Sequence, residues 1–349
     1  MAPVVFVIPT WNRAALLKQA IETLAQQSYP VQRIIVVDNG STDDSVAVAT
    51  RAGAQLICLG ANLGFAAAVN HGIRETGSAE YVGVLNNDVT LQPNWLSSLM
   101  AALENAAAWF ATGKLLDAQC PQRMDGSFDA ICRGACAWRC GHGQLDSPIW
   151  NQPRTIQLAP FTAAVFRASV FERVGFLDQR FESYLEDVDF GLRCAQAGLN
   201  GVYVPEAVAF HRGSATLGRW HPDTVRKIAR NQVLLVAKHY PPNWILRYGW
   251  PVFVAQILWG LVAFRHGALL SYFAGKAEGL RLFREVRAGR SDGLPAMGSL
   301  PAMGGSPAMG GSPVFSGFPA ILERSEKEIR DLQQLAGFDL YWKLYFALT

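Results

Sequence analysis

The sequence predicts an α/β protein whose first half builds a parallel sheet covered by helices on both faces. Three observations carry this. Short, nearly unbroken apolar runs such as VVFVIP, IIVVD and YVGVL recur along the chain, and such runs suit strands buried on both faces. Between them lie helical stretches rather than hairpin turns, the alternation expected of βαβ units. The run ends are all polar or turn-forming: Pro9-Thr10, Asp38-Asn39-Gly40, Asn62-Leu63-Gly64 and Asn86-Asn87-Asp88. In open sheets of this class, ligands gather at the carboxyl ends of the strands.

Taken in order, a strand over Val4–Pro9 leads to a helix from about Ala14 to Gln27. A strand over Ile34–Ser41 leads to a helix from about Asp43 to Ala52, whose acidic start complements the helix dipole. A strand over Gln55–Gly60, a helix near Ala66–Glu75 and the run YVGVLNND follow. A block from about Pro93 to His211 continues the domain, with a helix over Asp187–Ala197 closed by Gly198. Tyr248–Phe264 then carries no charge and one Gln, with Pro251 inside. That length sits at the lower limit for crossing a bilayer, so a buried, interfacial or dimer-forming helix is expected equally. SLPAMGGSPAMGGSP reads as a linker with too little bulk to pack. A charged helix over about Ala320–Leu335 and the aromatic tail FDLYWKLYFAL close the chain. The expected division is a catalytic domain over 1–215, a helical basic and apolar extension over 216–293, a linker over 294–316 and a C-terminal helix and tail over 317–349.

Of the 349 residues, 50% are hydrophobic and 17% charged, with a net charge of +3, which makes no case for nucleic acid. The charge is unevenly spread. From Asp223 to Arg290 there are eleven Lys or Arg against three acids, an excess of +8 around the uncharged segment. That pairing is more typical of a membrane surface than of a DNA groove. Met1-Ala2-Pro3 leads straight into VVFVIP, without a basic start or cleavage site, so a cytoplasmic protein with reduced cysteines is expected. Cys132-x3-Cys136-x3-Cys140-x-His142 lacks the short spacing of a zinc knuckle, and buried thiols are the default reading.

Asp38 reads either as an Asx-turn that stops a strand or as a carboxylate for a nucleotide's base or sugar. Neither a Gly-x-Gly-x-x-Gly fingerprint nor a Gly-Lys-Ser/Thr phosphate loop accompanies it, which disfavours dehydrogenase and ATPase readings. Gly64 allows close backbone approach, and Asn62 and Asn70 bracket a small-residue helix turn. Asp88, after Asn86 and Asn87, is a helix cap or turn, a ribose contact, or a ligand for a hard divalent cation on a nucleoside diphosphate. In FESYLEDVDFGLRCAQAG, Glu186, Asp187 and Asp189 sit where a helix begins. Dipole complementarity and an i,i+4 pair with Arg193 explain part of the cluster, and a general base explains the rest. His211, at a strand end, is structural or a metal ligand.

The segments VIPTWNR, VVDNGSTDDS, NLGFAAAVNHG, VLNNDV, YLEDVDFGLRCAQAG, VYVPEAVAFHRGS and RNQVLLVAKHYP occur in this order from about Val4 to Pro241. Together they resemble the inverting family 2 glycosyltransferases, and among these the bacterial rhamnosyltransferase-type enzymes. The resemblance implies a GT-A fold, a mixed sheet flanked by helices with a mainly helical C-terminal extension. It implies that Pro9, Thr10, Asn12 and Asp38 hold the base and ribose of a nucleotide-diphosphate sugar, and that Asn62, Gly64, Asn70, Asn86 and Asn87 line the donor site. It implies that Asp88, with His211, holds Mg²⁺ or Mn²⁺, and that Asp187, beside Glu186, is the base that deprotonates a glycan or lipid-linked glycan acceptor. A different donor sugar and a non-catalytic nucleotide-binding module are the alternatives. The chain departs from the family pattern in having amides at two positions of the metal motif. It also has Pro160-Phe161-Thr162-Ala163-Ala164 where a Ser-Gly-Ala-type stretch is usual.

Overall fold

The computed structural model describes residues 1–213, 220–289 and 317–349. The expected linker over 294–316 lies outside the described residues. The chain begins with β1 (Val4–Thr10), α1 (Ala14–Ala25), β2 (Arg33–Asp38), α2 (Ser45–Arg51), β3 (Gln55–Cys58), α3 (Phe65–Arg74) and β4 (Tyr81–Leu85). These elements match the sequence reading to within about two residues at most ends. Along β1, Val5 and Val7 enter one core while Val4, Phe6 and Ile8 enter another. Both faces of the strand are therefore buried, which is why its run is continuous rather than alternating.

The middle of the chain supplies β5 (Val89–Leu91), α4 (Trp95–Asn105), β6 (Phe110–Asp117), β7 (Met124–Gly126), β8 (Asp129–Ile131), β9 (Ala137–Arg139), β10 (Arg154–Ile156), β11 (Ala163–Arg167), α5 (Ser169–Val174), α6 (Glu186–Gln196) and β12 (Gly201–His211). Among the described residues these form a sheet of order β10-β12-β6-β11-β4-β1-β2-β3, with β5 on β12 and β7 on β6. Strands β1 to β4 pair parallel, whereas β11 runs antiparallel to both β4 and β6. The sheet is thus mixed. Helices α1 and α4 cover one face and α3, α5 and α6 the other. The β8–β9 hairpin stands apart, with Asp129 paired opposite Arg139.

The C-terminal part is helical: α7 (Pro222–His239), α8 (Trp244–Arg265), α9 (Leu269–Ala288), α10 (Phe318–Ala336) and α11 (Leu340–Leu348). It is no loose appendage. One apolar cluster joins Val188 and Leu192 of α6 to Leu234 and Leu235 of α7, Tyr248 of α8, Val286 of α9 and Ile321 of α10. Gly275 and Gly279 let α9 lie against the backbone of α7; a Cβ at Gly275 would sit 2.1 Å from the Arg226 carbonyl oxygen. Helix α8 is longer than the uncharged segment suggested and is buried on one side only. Among the described residues it is the one helix long and apolar enough to cross a membrane. Cys132, Cys136 and Cys140 are buried free thiols. Cys136 Sγ accepts from the Gln232 and Gln256 amides.

Candidate active site

Parallel register aligns Thr10 with Asp38 and Asp38 with Cys58, so the predicted strand ends finish on one edge of the sheet. Asp38 is buried, and both of its oxygens lie near a single N–H, that of Ser41, at 3.2 and 3.3 Å. A carboxylate accepts up to about four hydrogen bonds, so Asp38 keeps spare capacity for a base or sugar. Asn12 sits in the left-handed region with Arg13 (φ 59° and 69°). Its N–H donates to Ser41 Oγ at 2.8 Å, and its Oδ1 accepts the N–H of Thr42 at 2.9 Å. Asn87 reaches from the end of β4 to that of β1, donating to Thr10 Oγ1 at 2.8 Å and to the Asn12 carbonyl at 3.2 Å. Pro9 is buried beside them on β1.

Asp88 follows directly. The pairing of His211 with Val89 sets His211 Nε2 3.2 Å from Asp88 Oδ1, while Asp125 Oδ2 lies 2.7 Å from His211 Nδ1. Burial favours the neutral imidazole, but hydrogen bonding to Asp125 and Asp88 outweighs it and raises the His211 pKa to about 9. Asp125 shows the converse. Burial alone would raise it, yet His211 and then Arg139 hold it at about 2. Asn86 Oδ1 is buried without a hydrogen-bond donor, and Asp88 Oδ1, also buried, faces the His211 ring. An unpartnered amide oxygen beside a carboxylate at one strand end fits a Mg²⁺ or Mn²⁺ ion, which needs few protein ligands when phosphates and water supply the rest. Among the described residues no group of three or more His, Cys, Asp or Glu side chains forms a ready-made cage for an ion.

The acid cluster divides by environment. Asp189 is fully buried and accepts from Lys238 Nζ at 2.9 Å, Arg193 Nε at 3.1 Å and His239 Nε2 at 2.8 Å, so it is a structural anchor between α6 and α7. Glu186 is buried with Oε2 unpartnered; burial first and Asp187 second push its pKa well up. Asp187 keeps some exposure, with Oδ1 on the Val188 N–H at 2.8 Å and Oδ2 3.9 Å from Arg139 Nη2. Burial raises its pKa while Arg139 opposes the rise. Asp187 is therefore the acid better placed to exchange protons, and Glu186 the one whose anion burial disfavours more. Tyr184 lies within electrostatic reach of both Glu186 and Asp88, linking the two halves of the site.

The approach to this pair is strained. Glu182, Tyr184 and Leu185 all have positive φ, between 56° and 72°, where non-glycine residues cost about 1–3 kcal/mol each. Helix α7 holds them. Asn231 Nδ2 donates to the carbonyls of Phe181, Ser183 and Tyr184 at 2.8, 3.0 and 2.6 Å. Arg230 binds the Phe181 carbonyl at 2.9 Å and the carboxylates of Glu182 and Glu278.

Two expected donor-site residues engage the segment that leads to the acids. Asn70 is buried, and both ends of its amide engage Leu177, at 2.8 and 3.0 Å, so it pins the loop before the acids rather than lining the cleft. Gly64 makes room for the Glu182 backbone: a Cβ there would lie 2.9 Å from the Glu182 carbonyl oxygen. Asn62 stays exposed but shapes its own loop, accepting from Asn39 Nδ2 and the Gly64 N–H at 3.0 Å each. Sequence reasoning missed Asn39, Asp125, Arg139 and the Arg230-Asn231 clamp. The last lies in a motif that carried the resemblance without a role.

Comparison with known proteins agrees with this architecture. The family described as Glycosyl transferase family 2 matches residues 5–126, and Glycosyl transferase family group 2 matches residues 102–274. An N-acetylglucosaminyl-diphospho-decaprenol L-rhamnosyltransferase of Mycobacterium tuberculosis is 31% identical over 245 residues, covering 62% of this chain and 78% of that protein. The structure of GalNAc-T7 with UDP, GalNAc and Mn²⁺ gives a TM-score of 0.57 at 12% identity, over 84% of this chain and 58% of that one. The mannosyltransferase PcManGT from Pyrobaculum calidifontis, in complex with GDP-Man and Mn²⁺, gives 0.51 at 16% identity, over 99% of this chain and 87% of that one. At such identities the two structures speak for the fold, which is GT-A, while the mycobacterial relative speaks for the lineage. The chain belongs to glycosyltransferase family 2 and is a glycosyltransferase.

Proposed function

We propose that the enzyme transfers L-rhamnose, with inversion, from dTDP-rhamnose to a lipid-linked glycan during cell-surface polysaccharide synthesis, at the cytoplasmic face of the membrane. The observation that carries the reading is the set of buried oxygens at the cleft: unpartnered Asn86 Oδ1 beside the Asp88 carboxylate at the end of β4, and unpartnered Glu186 Oε2 at the start of α6. A buried polar atom without a partner is costly, so such atoms mark places completed by a ligand or by a proton. The choice of sugar and acceptor is supported by the mycobacterial relative, whose name specifies L-rhamnose and a diphospho-decaprenol acceptor.

In this reading Asp38, Thr10 and Asn12 hold the nucleoside. Asp88 and Asn86 hold a divalent cation, which when bound neutralises charge on the departing diphosphate. Asp187 accepts the proton of the acceptor hydroxyl as that oxygen attacks the anomeric carbon opposite the leaving group. Burial disfavours the Glu186 anion and so opposes a second negative charge beside the base. One displacement suffices, with inversion and no covalent sugar–enzyme intermediate.

The test is a panel of dTDP-, UDP- and GDP-sugars assayed for Mn²⁺-dependent binding and for hydrolysis or transfer. The expected result is a preference for dTDP-rhamnose, loss of metal-dependent nucleotide binding in Asp88→Ala, and loss of turnover with retained donor affinity in Asp187→Asn. A preference for UDP-galactose, UDP-glucose or GDP-mannose overturns the donor. Unchanged Mn²⁺-dependent affinity in Asp88→Ala overturns the metal assignment.

A further inference from the structure

The Cys132–Cys140 stretch is the one sequence motif that the transfer chemistry leaves unused. Its thiols are buried in the core and its backbone forms the β8–β9 hairpin. What the hairpin delivers to the cleft is Arg139. The guanidinium lies 3.5 Å from Asp129 Oδ1, 3.9 Å from Asp125 Oδ2 and 3.9 Å from Asp187 Oδ2. Its stem crosses β7 where Gly126 offers no side chain: a Cβ there would meet Arg139 Cγ at 2.3 Å and Cδ at 2.4 Å. Its strand partner is Asp129 itself. Hairpin register, a glycine gap and three carboxylates therefore agree on one place for this cation.

We propose that Arg139 is a positioning residue for the catalytic base, holding the Asp187 carboxylate as an anion turned into the cleft. The inference rests on the reading of Asp187 as the base. The titratable groups facing Asp187 are Glu186 on its own helix and Asp129 on β8, both pushed up by burial, Asp129 to about 7, and Arg139 on β9, which is the cation of the set. Asp125, across the same guanidinium, is already held as an anion by His211. Through Asp125, Arg139 also joins the base to the donor-side histidine, so that both halves of the reaction share one charged network. An opposite charge at about 4 Å lowers a carboxylate's pKa by roughly one unit or more, and its removal reverses this.

The experiment uses the full chain with ¹³C-labelled aspartate carboxyls. Asp187 is assigned by its loss in Asp187→Asn, and its titration midpoint is followed by NMR without donor or acceptor. In Arg139→Gln the Asp187 midpoint is expected to move up by about one pH unit, Arg139→Lys to keep most of the wild-type value, and Gly126→Ala, which displaces the stem, to shift upward by less. The acid limb of the turnover–pH profile should follow the same order, with donor KM little changed. Should Arg139→Gln fail to fold, the Gly126→Ala and Arg139→Lys pair decides. An Asp187 midpoint unmoved in every folded variant, or activity lost equally at all pH values, overturns the proposal. Because the titration needs no substrate, its outcome does not depend on which donor the enzyme uses, and a fully active Asp187→Asn would overturn the base reading separately.

Discussion

The carbonyl oxygen of Glu182 accepts the backbone N–H of Ala66 at 2.8 Å, joining the first turn of α3 to the loop before the acid pair. The Phe65 N–H reinforces the joint by donating to Ser183 Oγ at 3.2 Å. The nucleotide-side strand ends and the base are thus joined by this pair of contacts, of which the Phe65–Ser183 bond spans 118 residues of sequence.

The first consequence concerns Gly64, which sits at φ 88° and ψ 166°, a region nearly closed to other residues. Gly64→Ala combines that strain with a Cβ 2.9 Å from the Glu182 oxygen. A loss of about 1–3 kcal/mol of stability is expected, together with a fall in kcat larger than any rise in donor KM. Chemical denaturation and steady-state kinetics check both. Wild-type turnover in Gly64→Ala would show that the joint does not position the base.

A second prediction follows from the clamp on the strained turn. Asn231→Ala leaves the carbonyls of Phe181, Ser183 and Tyr184 without their shared donor. The Phe181 carbonyl keeps Arg230 as a donor, but those of Ser183 and Tyr184 lose this one, at about 1–3 kcal/mol for each group left unpaired, so the turn should relax toward negative φ. The expected outcome is a strong fall in kcat, intact nucleotide binding, and faster amide exchange confined to residues near 181–187. Exchange spread evenly over the molecule would instead mark a general loss of stability.

Asp189 supplies the pH dependence. Burial alone would raise its pKa, but Lys238, Arg193 and His239 hold it well below the ordinary carboxylate range. A depressed folded-state pKa stabilises the fold at pH above the unfolded value of about 4, and that stabilisation drains away as the pH falls below it. Removing one partner of such a buried network costs about 3–5 kcal/mol. Urea unfolding of wild type and Asp189→Asn should show a gap that is constant from pH 7 to about 5 and narrows below about 4. A gap that stays the same in acid would contradict the ionic role.

Much of this was legible in the sequence because it is local. The strand ends, Asp88 and the Glu186-Asp187 pair each announce themselves as polar residues breaking an apolar run. Asp125 and Arg139 do not, since they sit in three-residue strands too short to show a period. Asp125 meets His211 across 86 positions, a contact that only the pairing of β7 with β6 creates. The loop contacts of Asn70 and Gly64 were not legible for a related reason. An amide or a glycine can face a ligand or another loop, and the choice depends on a segment more than a hundred residues away.

The last prediction places the acceptor at a membrane surface. Along α8, Leu246, Trp250, Phe253, Ile257, Leu261 and Phe264 recur at helical spacing and are each at least half exposed. The opposite side, with Tyr248, Val254, Ala255 and Leu258, is committed to the protein core, so crossing a bilayer would require tearing that core open. Helix α8 fits better lying in the interface. Trp250 Nε1 donates to the Leu348 carbonyl at 2.7 Å, and exposed Leu344 and Leu348 on α11 and Leu270 and Phe273 on α9 add apolar surface beside it. Arg247 and Arg265 flank the stripe and Arg281 and Arg284 follow on α9, all exposed. Each such cation contributes about 1 kcal/mol near anionic lipid, less as salt rises. The protein should therefore co-sediment with vesicles containing anionic lipid, more at low salt than at high. Trp250→Ser with Phe253→Ser and Leu261→Ser should release it while leaving nucleotide binding intact. Protein that stays in the supernatant at both salt concentrations, with the triple variant altering only the oligomeric state, would make this stripe a contact between copies of the chain.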